Sequence, residues 1–209
     1  MDRGDRLTTR WSGWLERLAP EVVTLHHDRQ IARALMAAIE QRGPAPDPFL
    51  AHYTRLYVGS QATRVRRVAR ADKSAISLSR LLRDMGRHPG AVGEPGNLDR
   101  ADEGAAPDQR WGGAAARLRK LAGAGEGRID GLLGRVGVVV GTADRLISGI
   151  GEHRMDEALA VVVVDDAVEE VGEVFRDTAE ILRVPGQAVL PSMRDDWQRV
   201  FRATLFEPT

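Results

Sequence analysis

The sequence predicts an all-α fold, a helical bundle, and three observations support this prediction. Apolar residues recur every three to four positions in successive segments, which is the period of a helix with one buried face. Glycine- and proline-rich breakers separate several of these segments. The number of segments and their mostly short connections are those of a bundle. At 209 residues the chain can bury a sizeable core as a single helical domain, residues 1–209.

The first helix is predicted over residues 20–41. Proline suits the first turn of a helix, where its missing N–H has no intrahelical partner to lose, so Pro20 is placed at the start. Gly43 and Pro44 stop the helix. The apolar residues before position 20 are interpreted as a short lead-in: Trp11, Trp14, Leu15 and Leu18.

Two further helices are predicted in the first half of the chain. One covers residues 49–70, after the breaker GPAPDP, and its first half carries a helical apolar stripe. The other follows Ser77, whose side chain can cap the free amides at a helix start, and ends at His88 and Pro89. Its apolar residues have helical spacing: Leu78, Leu81, Leu82 and Met85.

Residues 89–113 are predicted to form a long irregular loop. Glycine and proline occupy nine of these 25 positions, so neither a helix nor a strand is favoured there. A loop of this length inside a compact domain is unusual. The chain could therefore divide here into two helical halves, 1–88 and 111–209.

Residues 126–150 allow a strand or a helix. Valines flanked by glycines favour a strand, but apolar positions repeat every three to four residues for six turns, which is ordinary for a helix and exceptional for a strand. The glycines inside this helix each cost about 1 kcal/mol relative to alanine. We therefore expect a neighbouring helix to approach the glycine-bearing backbone closely. The glycines are Gly131, Gly134, Gly137 and Gly141.

The C-terminal part predicts two more helices. The same apolar period predicts one long amphipathic helix over residues 160–182. A short helix over residues 194–205 is expected to carry Trp197, Val200 and Phe201 toward the core.

Composition and motifs exclude several kinds of site. The chain has no cysteine, which excludes disulfides, thiolate catalysis and thiolate metal sites. None of the five histidines has a histidine partner at i, i+4, and nucleotide-loop and nucleophile-elbow motifs are absent, so we expect neither metal nor cofactor. No apolar run approaches 18 residues and no apolar signal segment opens the chain, which predicts a cytoplasmic protein without membrane contact.

Charge is distributed unevenly although the formal net charge is zero. Residues 55–89 hold nine basic and two acidic residues, a net charge of +7, whereas residues 152–180 hold ten acidic and two basic residues, a net charge of −8. Either these segments face one another or form solvated surfaces, or the arginines bind phosphate through their guanidinium groups. In the second case the candidate nucleic-acid-binding residues are Arg66 and Arg70, one helical turn apart, with Arg67 beside them.

One segment carries a family resemblance. The stretch RRVARADKSAISLSRLLRDMGRHP, residues 66–89, resembles the pattern RR…D…SLxxLL…P of the AbiU-like HEPN proteins, a bacterial group associated with abortive infection and antiviral defence. The C-terminal half is similar in outline, with TADRLI inside a helix, a long helix after it, and then Pro191, Trp197, Val200 and Phe201. The resemblance spans most of the chain through degenerate motifs.

This resemblance implies a helical, usually dimeric protein that is often a metal-independent ribonuclease. The family's site pairs an arginine that steadies phosphate with a nearby histidine that handles protons, a role suited to a group titrating near neutrality. The implied catalytic pair here is Arg145 and His153. The positions where the family's histidine is expected hold Ile150, Gly151 and Glu152, and His153 lies one place beyond them.

Two functions therefore remain open. The first is a HEPN-like bacterial defence protein that engages RNA and could be a ribonuclease. The second is a non-catalytic helical protein that acts by assembly or by binding a protein partner. We also expect a homodimer formed through the helix at 126–150, where Gly127, Gly134 and Gly141 recur every seven residues. A neighbouring helix of the same chain could use this face instead, and the resemblance favours the dimer.

Overall fold

Five α-helices make up most of the described part of the chain, which in this computed structural model comprises residues 3–40, 48–70, 72, 74–92, 125–148 and 156–182. A 3₁₀ turn, Pro89–Val92, follows the third helix. These ranges contain no strand, so the all-α prediction is confirmed. The helices are α1 (Arg3–Glu40), α2 (Pro48–Ala69), α3 (Leu78–Arg87), α4 (Gly125–Ser148) and α5 (Glu157–Leu182).

The four long helices form the bundle, and α2 packs against α1, α4 and α5. Side-chain contacts show that α1 runs antiparallel to both α2 and α5. The contacts that set these directions are Glu21–Arg67 and Leu25–Gln61 between α1 and α2, and Arg29–Glu169 and Arg33–Asp165 between α1 and α5. No helix in the described ranges is long and apolar enough to cross a membrane.

The start of α1 corrects the sequence prediction. The helix begins at Arg3 and continues through Pro20 instead of starting there. Proline removes one backbone hydrogen bond from a helix interior, but Pro20 is exposed, so water can satisfy the freed carbonyl. An unbroken buried stripe holds the helix on both sides of the proline: Trp11, Leu15, Leu18, Val22 and Leu25.

The short helix α3 follows the sequence prediction and is fixed to α1. Ser77 caps its start by accepting a hydrogen bond from the backbone N–H of Arg80 at 3.2 Å. The indole N–H of Trp11 donates to the Asp84 carboxylate at 2.7 Å. Trp14 lies under the Arg80 guanidinium, whose central carbon is 4.6 Å from the ring centroid.

Both valine-rich segments are helices, as the apolar period predicts. The buried side of α4 packs against α2, α3 and α5, and α5 contributes the longest buried stripe of the bundle's second half. The buried apolar residues of α4 are Ile129, Leu132, Val136, Val139, Ala143 and Leu146. Ile147 is also an apolar position of this helix, but it is 58% exposed and lies over Gly59 of α2.

Several predictions concern residues outside the described ranges. The predicted loop at 89–113 begins with the 3₁₀ turn Pro89–Val92, and its remainder is not described. The same holds for the predicted helix at 194–205 and for His153. The single-domain organisation stays a prediction.

Candidate functional site

The three arginines predicted to bind nucleic acid lie at the end of α2 and differ in their surroundings. Arg66 is exposed, and no ion pair or hydrogen bond joins its side chain to another described residue. Arg67 donates to Glu21 of α1. The Arg70 guanidinium lies 3.8 Å from a carboxylate oxygen of Asp72. A phosphate that bound at Arg67 or Arg70 would compete with a carboxylate of this chain.

The arginines of the basic segment 55–89 form ion pairs mainly with carboxylates of α1. Arg64 lies 3.6 Å from Glu21 and 3.8 Å from Asp28, both residues of α1. In the described ranges, one ion pair joins the basic segment directly to the acidic segment 152–180, between Arg55 and Glu157 at 3.0 Å. The helices of the two segments do face one another, since α2 packs against α5, but in the described ranges their charges form an ion pair only at Arg55 and Glu157. Elsewhere α1, which carries both signs of charge, supplies partners to each segment.

Arg145, the predicted catalytic arginine, lies near the end of α4 on the side away from the core. Its side chain is exposed, and its Nε donates to the backbone carbonyl of Gly141 in the preceding turn at 3.0 Å. No described carboxylate pairs with it. Its predicted partner His153 lies outside the described residues, and the pair stays a prediction.

A buried charge network, which the sequence analysis did not identify, joins α1, α2 and α5. Asp165 of α5 is 3% exposed. One of its carboxylate oxygens accepts from the Tyr57 hydroxyl at 2.5 Å, and the other accepts from the Arg33 Nε at 2.5 Å. Arg29 lies 3.7 Å from the same carboxylate and donates to Glu169 one turn further along α5. Arg29 and Arg33 of α1 thus pair with Asp165 and Glu169 of α5, and the Tyr57 hydroxyl joins α2 to the same network.

This buried network has a structural role. Burial raises the pKa of the Tyr57 hydroxyl, and its hydrogen bond to Asp165 raises it further. The hydrogen bond from Arg29 lowers the pKa of Glu169. Tyr57 therefore stays protonated as a donor and Glu169 stays ionised as an acceptor. Because both Asp165 oxygens are occupied, the network orders three helices and has no free carboxylate for acid–base chemistry.

A sequence signal pointed to part of this network. Asp165 lies four residues after Val161 and three before Val168, which places it on the apolar side of the long C-terminal helix. An acid at such a position requires a buried partner. Its partners Tyr57 and Arg33 are 108 and 132 residues away in sequence. Helical spacing alone cannot identify partners at such separations.

His26 of α1 lies beside this network. Its Nε2 is buried and has no hydrogen-bond partner among the described residues. Burial lowers its pKa below 6.5, the nearby Arg29 and Arg176 lower it further, and Glu169 opposes the shift. The folded protein therefore favours the neutral imidazole.

The His26 environment predicts a loss of stability in mild acid. As the pH falls through about 6.5, His26 takes up a proton in the unfolded chain more readily than in the folded protein. The contribution of His26 to the free energy of unfolding is therefore fully present above this pH and is lost below it. We expect His26→Gln to reduce the decline measured by urea unfolding between about pH 7.5 and 5.5. The control is His27→Gln, since the His27 side chain is 50% exposed. An unchanged decline in His26→Gln would contradict this assignment.

The described ranges offer few candidate sites for a metal ion or a ligand. They contain no group of three or more histidine, aspartate or glutamate side chains placed to hold a metal ion. A surface depression on α5 is lined by Glu173, Arg176, Asp177 and Glu180, all from one side of that helix. Because this depression lies on one helix and carries both signs of charge, it indicates no particular class of ligand.

Comparison with known proteins finds no family model, no curated protein and no solved structure that matches this chain. The resemblance to AbiU-like HEPN proteins therefore stays a prediction from the sequence.

Proposed function

We propose that this chain is a non-catalytic helical protein that acts by assembly or by binding a protein partner. One observation carries the proposal: several charged groups at the helix contacts are paired with one another in the described ranges, whereas large apolar side chains are more than half exposed on three helices. These exposed side chains are Phe49, Leu56, Val138, Ile147, Leu159 and Val162.

The charge pairing argues against a broad phosphate-binding surface. Glu21 accepts from Arg67 and lies 3.6 Å from Arg64, so one carboxylate neutralises two arginines of the basic segment. Non-specific nucleic-acid binding depends on the number of phosphates that free cations neutralise. Arginines that already hold carboxylates contribute less to that number.

The exposed apolar residues are suited to a contact with another protein. Phe49 and Leu56 lie two turns apart on the same side of α2, and Leu159 and Val162 lie one turn apart on α5. A single exposed apolar side chain is ordinary on a protein surface. Pairs on one helix side expose more adjoining apolar surface than a single side chain does, and larger exposed patches mark protein contacts.

The test is a pull-down of the tagged full-length chain from its native host, with proteins identified by mass spectrometry and bound RNA by sequencing. We expect a protein at stoichiometric amount, either a second copy or another chain. Leu56→Glu and Val138→Glu would each be compared with the wild type to locate the contact. RNA enrichment without any stoichiometric protein would overturn the proposal.

A second candidate function is a HEPN-like defence protein that engages RNA. The observation that favours it is that Arg66 and Arg145 are exposed and have no carboxylate partner in the described ranges. Purified protein is then expected to cut RNA without added metal, and His153→Ala is expected to abolish cutting. Undiminished cutting by that variant would remove His153 from the mechanism. No cutting of any RNA class by the wild type would leave only the non-catalytic function.

A further inference from the structure

The outward side of α4 is exposed apart from Gly141, which is half-buried, and we call it the outer face of α4: Gly127, Asp130, Gly134, Val138, Gly141 and Arg145. The core-facing side of the same helix is buried against α2, α3 and α5. At Gly127, Gly134 and Gly141 an added Cβ would meet no described atom within 4 Å. The neighbouring helix expected from the sequence is therefore not found at this backbone within the described part of the chain.

An apolar side chain lies at the middle of this low-relief surface. Val138 is 54% exposed, with Gly134 one turn before it and Gly141 nearly one turn after it. Glycines lack the side chain that normally keeps two helices apart, so a second backbone can come close there. The surface thus fits a helix and offers it one apolar contact at the centre.

The charges on this face are self-complementary in one orientation. Asp130 and Arg145 are both exposed, and neither forms an ion pair with a described residue. Their midpoint falls between Gly137 and Val138, and each lies about 11 Å from it at a rise of about 1.5 Å per residue. An antiparallel copy of α4 centred there places Asp130 level with Arg145, and Gly134 level with Gly141. A parallel copy in register would instead place like charges together.

From this charge symmetry we propose that the outer face of α4 binds the same face of a second copy of this chain, antiparallel, about a two-fold axis between Gly137 and Val138. The inference rests on the proposed function of assembly and names its partner. A two-fold contact repeats every interaction, so Asp130 meets Arg145 twice.

Charge reversal tests this inference directly. Light scattering should give the wild type about twice the chain mass of 22.9 kDa. Asp130→Arg and Arg145→Asp each place like charges together twice and should weaken the dimer about tenfold or more, whereas the double variant should restore it. The control is Asp166→Arg, a reversal at an exposed aspartate of α5. A wild type of single-chain mass, or a double variant as weak as the single ones, would overturn the inference.

A second variant separates association from folding. Gly134→Leu enters open space in the single chain, so the helix content should be kept, while the mass should fall to that of one chain. A dimeric Gly134→Leu protein would overturn the inference. A wild type of single-chain mass that still captures another protein stoichiometrically would overturn self-association and leave the proposed function standing.

Discussion

Asp165→Ala should lower the free energy of unfolding by about 3–5 kcal/mol, the cost of breaking a buried ion pair from one side. The substitution leaves Arg29, whose side chain is 14% exposed, without one of its two carboxylates. It also leaves the buried hydroxyl of Tyr57 without its acceptor. Urea unfolding at neutral pH and fixed protein concentration measures the change.

The neighbouring aspartate provides the control for this prediction. Asp166 is exposed on the same helix, and Asp166→Ala should change the stability by no more than about 0.5 kcal/mol. Asp165→Asn keeps a hydrogen-bond acceptor but not the charge, so it should fall between the two. If Asp165→Ala and Asp166→Ala cost the same, the buried network does not hold the three helices together.

Phe175→Ala should also cost about 3–5 kcal/mol, because it leaves a cavity the size of an aromatic ring in the core. Phe175 is 1% exposed on α5 and belongs to the cluster that joins the four long helices. Phe49→Ala is the matched control, since Phe49 is 55% exposed at the start of α2. Its cost should stay below about 2 kcal/mol in thermal or urea unfolding, because the variant loses the stacking of Phe49 on Tyr53 but no buried volume. Equal costs for the two variants would show that Phe175 does not lie in the core.

The helices could be predicted largely from local patterns. The apolar period identified α4 and α5 as helices despite their valines, and Ser77 and Pro89 marked the limits of α3. The start of α1 could not be predicted this way. A proline that suits a first turn also fits an exposed position inside a long helix when the apolar stripe continues on both sides, as Trp11 and Val22 show.

The candidate site was less predictable because it depends on long-range pairing. The sequence shows that residues 55–89 are basic, but not that Glu21 and Asp28 of α1 neutralise part of that charge. It likewise shows glycines on α4 but not which side of the helix they occupy. The period of the apolar residues fixes the buried side, and only the packed bundle shows that no described helix covers the other side.

These observations together lead us to expect assembly through the outer face of α4. Its glycines stay uncovered in the described part of the single chain, and its unpaired charges match those of an antiparallel copy. Assembly through this face would explain why a helix keeps several destabilising glycines on its exposed side.

Cysteine crosslinking across the α4 contact is the most direct measurement of this assembly. The chain has no cysteine, so a single introduced thiol is the only reactive one. Val138→Cys and Val162→Cys replace equally exposed valines, 54% and 53%, on α4 and α5. With a short thiol-specific crosslinker, Val138→Cys should shift to twice the chain mass on a denaturing gel and Val162→Cys should not. A Val138→Cys protein that stays at the mass of one chain, or equal crosslinking at both positions, would contradict assembly through α4.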